Sequence, residues 1–143
     1  MTLINQLVEE IQNEFDKRED SYKNTKVKEI YKPLPKLKNK YLKVVIQEIS
    51  NSEIRSRSTI QGEMTTQLGY QITTYSRDTE EYDAVDSVKF MMDIVNDYLQ
   101  SKYLMRRLGD RVIVPYITDN TIMTCTQRYT CVYDKETNLI YED

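Results

Sequence analysis

Histidine and tryptophan are missing from these 143 residues, and glycine and proline occur only three times each. Each absence removes a class of chemistry. Without histidine there is no Ser–His or Cys–His nucleophile pair. Two isolated cysteines supply too few soft ligands for a zinc site. The sequence contains neither G-x-x-x-x-G-K-[ST] nor G-x-G-x-x-G, so no phosphate-cradling loop is encoded. No apolar run approaches the roughly 18 residues that span a bilayer. Met1-Thr2-Leu3-Ile4-Asn5-Gln6 has neither the basic start nor the apolar stretch of a secretory signal. The expectation is a protein that is not an enzyme, with no cofactor, no metal, no small-molecule substrate and no membrane segment.

What is present is polar for its size. The hydrophobic share is 39% and the charged share 30%, so the chain is one domain with a modest core and neighbours can contribute to its stability. A net charge of −3 argues against a dedicated nucleic-acid binder. Tyrosine is abundant, with 12 copies against two phenylalanines. It suits half-wet subunit interfaces, and it equally fills strand positions. Cys125 and Cys131 fall six apart on one expected strand, about 20 Å at strand rise, and are read as free buried thiols in a reducing cytoplasm.

The longest apolar surface belongs to Leu68–Leu104. Leu68, Tyr70, Ile72 and Thr74 alternate with polar residues, the mark of a half-buried strand. Asp78 and Glu81 have capping-box spacing. Ala84, Val88, Met91, Val95 and Tyr98 then recur at helical spacing. Asp78, Glu80, Glu81, Asp83 and Asp86 crowd the helix start. A metal-dependent nuclease would use such a cluster, but a helix N-terminus attracts acids through its dipole, which is the weightier explanation. Two helix ends are compatible with the sequence. Arg106 and Arg107 followed by Gly109 resemble a basic last turn and a C′ glycine; alternatively the helix stops near Tyr103 and Met105–Leu108 is already extended.

Elsewhere, Leu3, Ile4, Leu7, Val8, Ile11 and Phe15 form the stripe of an N-terminal helix over 2–18. A basic connector, 19–40, follows, and Lys17 to Lys43 holds ten basic residues against three acidic ones. It reads as an extended surface crossing pinned by Val27, Ile30, Tyr31, Leu34 and Leu37, with a short helix or edge strand allowed at Val27–Tyr31. The sheet-plus-helix core, 41–143, opens with a strand at Tyr41–Ile49. A polar Ser50–Glu63 loop carries Arg55 and Arg57. Arg111–Tyr116 is a short strand ended by Pro115. Ile122–Asp134 is a long strand with Met123, Cys125, Tyr129, Cys131 and Tyr133 on one face and Thr124, Thr126, Arg128 and Thr130 on the other. Leu139–Tyr141 is a brief return. The order predicts an α+β domain: an antiparallel sheet of about four strands with two helices packed on one face.

Ile72-Thr73-Thr74-Tyr75-Ser76 leads into a helix with Ile94-Val95-Asn96-Asp97-Tyr98-Leu99. Thr121-Ile122, Gln127-Arg128-Tyr129, Val132-Tyr133-Asp134 and Ile140-Tyr141 follow. This cadence, over roughly Leu68 to Asp143, resembles the tail-terminator (tail-completion) minor structural proteins of long-tailed bacteriophages. The chain departs from the pattern at Lys102-Tyr103-Leu104, where those proteins tend to carry Gly-Phe. The resemblance implies a virion protein assembled in the bacterial cytoplasm. It would form a ring, a hexamer by analogy, that caps the tail tube, stops its growth and meets the head–tail connector proteins. Head-to-tail contacts in a ring need two different patches. The Thr124, Thr126, Arg128 and Thr130 face would supply one, and Arg55 and Arg57 would reach a neighbour, the tube or DNA in the lumen. Two alternatives remain: another neck or head-closure component, and a small cytoplasmic nucleic-acid-binding protein using Lys23–Lys43, with Lys36, Lys38 and Lys40 as its contacts.

Overall fold

The computed structural model describes residues 3–30, 42–54, 65–78, 83–116, 121–134 and 139–141. Along the chain these form α1 (Leu3–Asp16), β1 (Lys26–Glu29), β2 (Lys43–Ile54), β3 (Thr65–Arg77), α2 (Ala84–Lys102), β4 (Arg106–Pro115), β5 (Ile122–Asp134) and β6 (Leu139–Tyr141), with one 3-10 turn at Ser21–Asn24. The sheet order is β1-β2-β3-β5-β4, and β6 extends the pairing of β5. Only β1 and β2 run parallel; the other pairs are antiparallel. The central pair is continuous in register from Thr65↔Asp134 to Arg77↔Ile122.

The mixed α+β architecture is the expected one, with six strands among the described residues where about four were expected. The additions are short. β6 is the brief return at Leu139–Tyr141. β1 lies inside the basic connector: Lys26-Val27-Lys28-Glu29 has one buried apolar residue among three partly exposed charged ones, too little contrast for a period-two pattern. Lys32, Pro33, Leu34, Pro35, Lys36, Leu37, Lys38 and Lys40 lie outside the described residues.

Alternation builds the core. Leu68, Tyr70, Ile72, Thr74 and Ser76 of β3 are all buried, as are Cys125, Gln127, Tyr129 and Cys131 of β5. Val44 and Ile46 of β2 continue the same layer. Onto it α1 sets Leu3, Ile4, Leu7, Ile11 and Phe15, and α2 sets Val88, Met91, Met92, Val95 and Leu99, in one contiguous cluster. Both helices therefore cover the same side of the sheet. Truncating one fully buried member such as Leu7 or Leu99 to alanine costs about 2–5 kcal/mol. The two cysteines are free and buried, and burial pushes the Cys125 thiol up, away from reactivity.

Gln127 interrupts the apolar face without disrupting it. Its Oε1 accepts from Arg111 Nε at 3.2 Å and lies 3.3 Å from the Tyr129 hydroxyl, which also reaches Asn96 Oδ1 at 2.9 Å. Arg111 closes the network on Asp93 at 2.5 Å. Buried polar groups satisfied in this way tie the sheet to α2 in one register.

The start of α2 differs from the sequence expectation, and its end is the second of the two that the sequence allowed, a stop near Tyr103. The N-cap is Asp83, not Asp78: its carboxylate accepts from Val85 N at 2.8 Å and Asp86 N at 3.3 Å. Asp78 still contributes, accepting from Ala84 N at 2.6 Å. Asp, unlike the usual Ser or Thr, appears several times here, so spacing alone could not choose among them. At the other end the helix stops at Lys102. Tyr103 N and Met105 N both donate to Leu99 O, and Leu104 takes a positive φ of 54°. Arg106 and Arg107 are already in β4, and Gly109, at φ 74°, sits in a bulge between Leu108 and Val112. Glycine's tolerance of positive φ is thus used in the strand bulge, while the left-handed residue after the helix is Leu104.

Candidate functional site

The side of the sheet away from the helices is where the sequence points. Register places Lys26 and Lys28 of β1 beside Lys43 and Val45 of β2, and these on the side opposite buried Val27 and Val44. Gln71, Thr73, Tyr75 and Arg77 of β3 continue it, then Thr124, Thr126, Arg128 and Thr130 of β5, then Arg106, Leu108, Val112 and Val114 of β4.

Its polar groups are knit together locally. Thr73 and Thr126 share a hydrogen bond at 3.1 Å, and Arg128 Nε donates to Gln71 Oε1 at 3.1 Å. Lys43 Nζ lies 4.6 Å from the Tyr75 ring centre, and Tyr75 packs edge-on against Tyr116 at 5.7 Å. Burial, followed by the like charge of Lys28, lowers the Lys43 ammonium, and burial raises the Tyr75 phenol. Among the strand-paired residues with described side chains, the charged groups on this side are basic. Glu29 and Glu48 fall by register on the helix side. Asp110 lies in the β4 bulge.

The predicted residues do not all stand in the same way. Arg128 is exposed and Thr126 half-buried, so both present side chains at the surface. Thr124 and Thr130 are buried, and their hydroxyls donate to Val114 O at 2.9 Å and Leu68 O at 3.1 Å. They hold strands together and offer little to a partner. Arg55 and Arg57 lie outside the described residues.

The residues missed by the sequence reading are apolar. Leu108, Val112 and Val114 are 43%, 53% and 47% exposed on the edge strand β4, with Tyr116 beyond them. Val112 and Val114 carried a period-two signal, and Leu108 has the same parity, but the strand was read as starting only at Arg111, which hid the length of the strip. The other edge of the sheet is closed, because the Gln12 side chain hydrogen-bonds along β1.

The helix side has the opposite charge. α1 carries Glu9, Glu10, Glu14 and Asp16 with no base, and α2 carries Asp86, Asp93 and Asp97 against Lys89 and Lys102. Between the helices a cleft is lined by Glu10, Asn13, Glu14, Asp16, Lys17 and Tyr98. Tyr103 donates its hydroxyl proton to Glu10, and burial with Glu10 nearby pushes the Tyr98 phenol up to about 12. Among the described residues no group of three or more Cys, Asp or Glu is placed to hold a metal, and no helix is long and apolar enough to cross a membrane. Chemically, the arrangement offers charged and apolar contact surfaces. Compared with known proteins, the chain matches no family model and no curated protein.

Proposed function

We propose that this protein is a non-catalytic structural subunit of the tail-terminator type. It assembles into a ring, a hexamer by analogy, that caps the tail tube of a long-tailed bacteriophage and meets the head–tail connector. The reading rests first on the resemblance over Leu68–Asp143. One observation carries it further: among the described residues both helices lie on one side of the sheet, and Leu108, Val112 and Val114 are exposed on the other beside Arg106 and Arg128. Exposed apolar side chains rimmed by arginine are the composition of a protein contact surface. Another neck component would use the same surface, and is separated from a terminator by what the protein binds.

A second reading draws on Lys26, Lys28 and Lys43, which share one side of the sheet. A polyanion such as nucleic acid would contact them, with affinity falling steeply as salt rises.

The test is light scattering on the purified protein, alone and with tail tubes. The reading expects a closed oligomer that binds one tube end and arrests elongation. A strict monomer at high concentration that leaves tube growth unchanged would overturn it.

A further inference from the structure

We infer that Leu104 is a contact residue for the next copy of this chain, an apolar knob displayed by a strained turn. The inference deepens the ring-subunit reading and rests on it for self-assembly; what it adds is the residue that a neighbour grips.

Leu104 stands just past the end of α2, where the chain turns left-handed and glycine is the usual occupant. Its φ of 54° sets Cβ close to the following carbonyl oxygen, a strain that glycine lacks and asparagine tolerates. Little inside the subunit offsets that strain: the side chain is 51% exposed and lies outside the hydrophobic core cluster. Strain that the fold does not need points to a role at the surface.

The turn itself is firmly held. Tyr103 and Met105, on either side of Leu104, are both buried, and their N–H groups both donate to Leu99 O, at 3.1 and 3.2 Å. The Tyr103 hydroxyl donates to Glu10 and accepts from Gln6 Nε2 at 3.0 Å, which ties the turn to α1. A side chain displayed from a fixed backbone loses little conformational freedom when it is gripped, so more of its contact appears as affinity. Residue type sets the chemistry of the partner. Leucine offers neither charge nor hydrogen bond, so it suits an apolar socket on a protein and gives nothing to a phosphate. The occupant is a second copy because the turn feeds directly into β4, where Leu108, Val112 and Val114 are exposed. Leu104 thus continues the surface on which the ring-subunit reading already sets a neighbour.

The experiment measures folding and association on the same variants. Leu104→Gly and Leu104→Asn relax the backbone and remove the knob; Leu104→Met keeps an apolar side chain of similar size. Thermal unfolding, at a concentration where the parent is dissociated, reads the subunit alone. Sedimentation over a range of concentration reads self-association. The glycine and asparagine variants are expected to melt no lower than the parent and yet to associate about tenfold more weakly at each contact. Leu104→Met should associate as the parent does. A residue that serves only its own subunit would not give this split, because its loss lowers both readouts together. Three results would overturn the inference: glycine and asparagine variants that associate as the parent does, the same variants melting clearly below the parent, or a methionine variant that loses association with them. In all three the parent still assembles, so the ring-subunit reading stands. A parent that stays monomeric, alone and with tail tubes, overturns both.

Discussion

Gln12 on α1 hydrogen-bonds to Val27 on β1 as a neighbouring strand would. Its Oε1 accepts from Val27 N at 2.9 Å and its Nε2 donates to Thr25 O at 3.0 Å. One side-chain amide thus satisfies an outward N–H and an outward C=O on the sheet edge, and docks the N-terminal helix by the same contacts. Gln12→Ala removes both bonds. A loss of about 1–2 kcal/mol is expected, read as a lower denaturant midpoint with an unchanged slope. A parental midpoint would mean that water replaces the clasp without loss.

Asp83, not Asp78, caps α2. Asp83→Ala should lower stability by about 1 kcal/mol through the loss of two accepted N–H bonds. Asp78 accepts one short bond, from Ala84 N, so Asp78→Ala should have a separate and roughly additive effect. Thermal unfolding of the two single variants and the double measures both. A double variant no worse than Asp83→Ala would show that the Asp78 contact contributes nothing.

Leu104 holds a left-handed backbone with half of its side chain in water: φ is 54° and exposure 51%. Glycine adopts that conformation without strain, and little buried surface is lost. Leu104→Gly should raise stability by about 0.5–1 kcal/mol, or a few degrees in Tm. A clear decrease would show that the leucine side chain contributes more packing than its exposure suggests.

Tyr129 lies 2.9 Å from Asn96 and stays protonated far into alkaline pH, because burial raises its phenol strongly. Tyr98 is pushed up to about 12, by burial first and Glu10 second. A free tyrosine titrates near 10. Raised phenols contribute stability that is present in full below that value and is lost as pH climbs through the folded ones. The unfolding midpoint should therefore fall above about pH 10, and the native phenolate absorbance titration should lag behind that of the denatured chain. Tyr98→Phe should remove the component near 12. Coincident native and denatured titrations would contradict these assignments.

Legibility in the sequence followed contrast between neighbouring residues. β5 could be read over Ile122–Asp134 with its faces assigned, because cysteines and tyrosines alternate with threonines on both sides of Gln127-Arg128. The stripe of α2 was equally plain. β1 was legible only as one of two options, an edge strand or a short helix, because three of its four residues are charged. β4 begins five residues earlier than Arg111, since Arg106 and Arg107 look like a helix end until Leu104 turns the chain first. The contact strip at Leu108, Val112 and Val114 keeps the parity of simple alternation across the bulge, and was missed because Leu108 was not placed in the same strand as Arg111–Tyr116. Thr124 and Thr130 fit a polar surface by type, yet their hydroxyls serve neighbouring backbone carbonyls, a role set by tertiary pairing alone.

The role proposed for this protein, ending the growth of a phage tail, is read from tail length. Electron microscopy of particles assembled without the protein is the measurement. Tails of unregulated length that fail to join filled heads are expected, with normal length restored when the protein is supplied. Tails of parental length joined to heads in its absence would contradict the account.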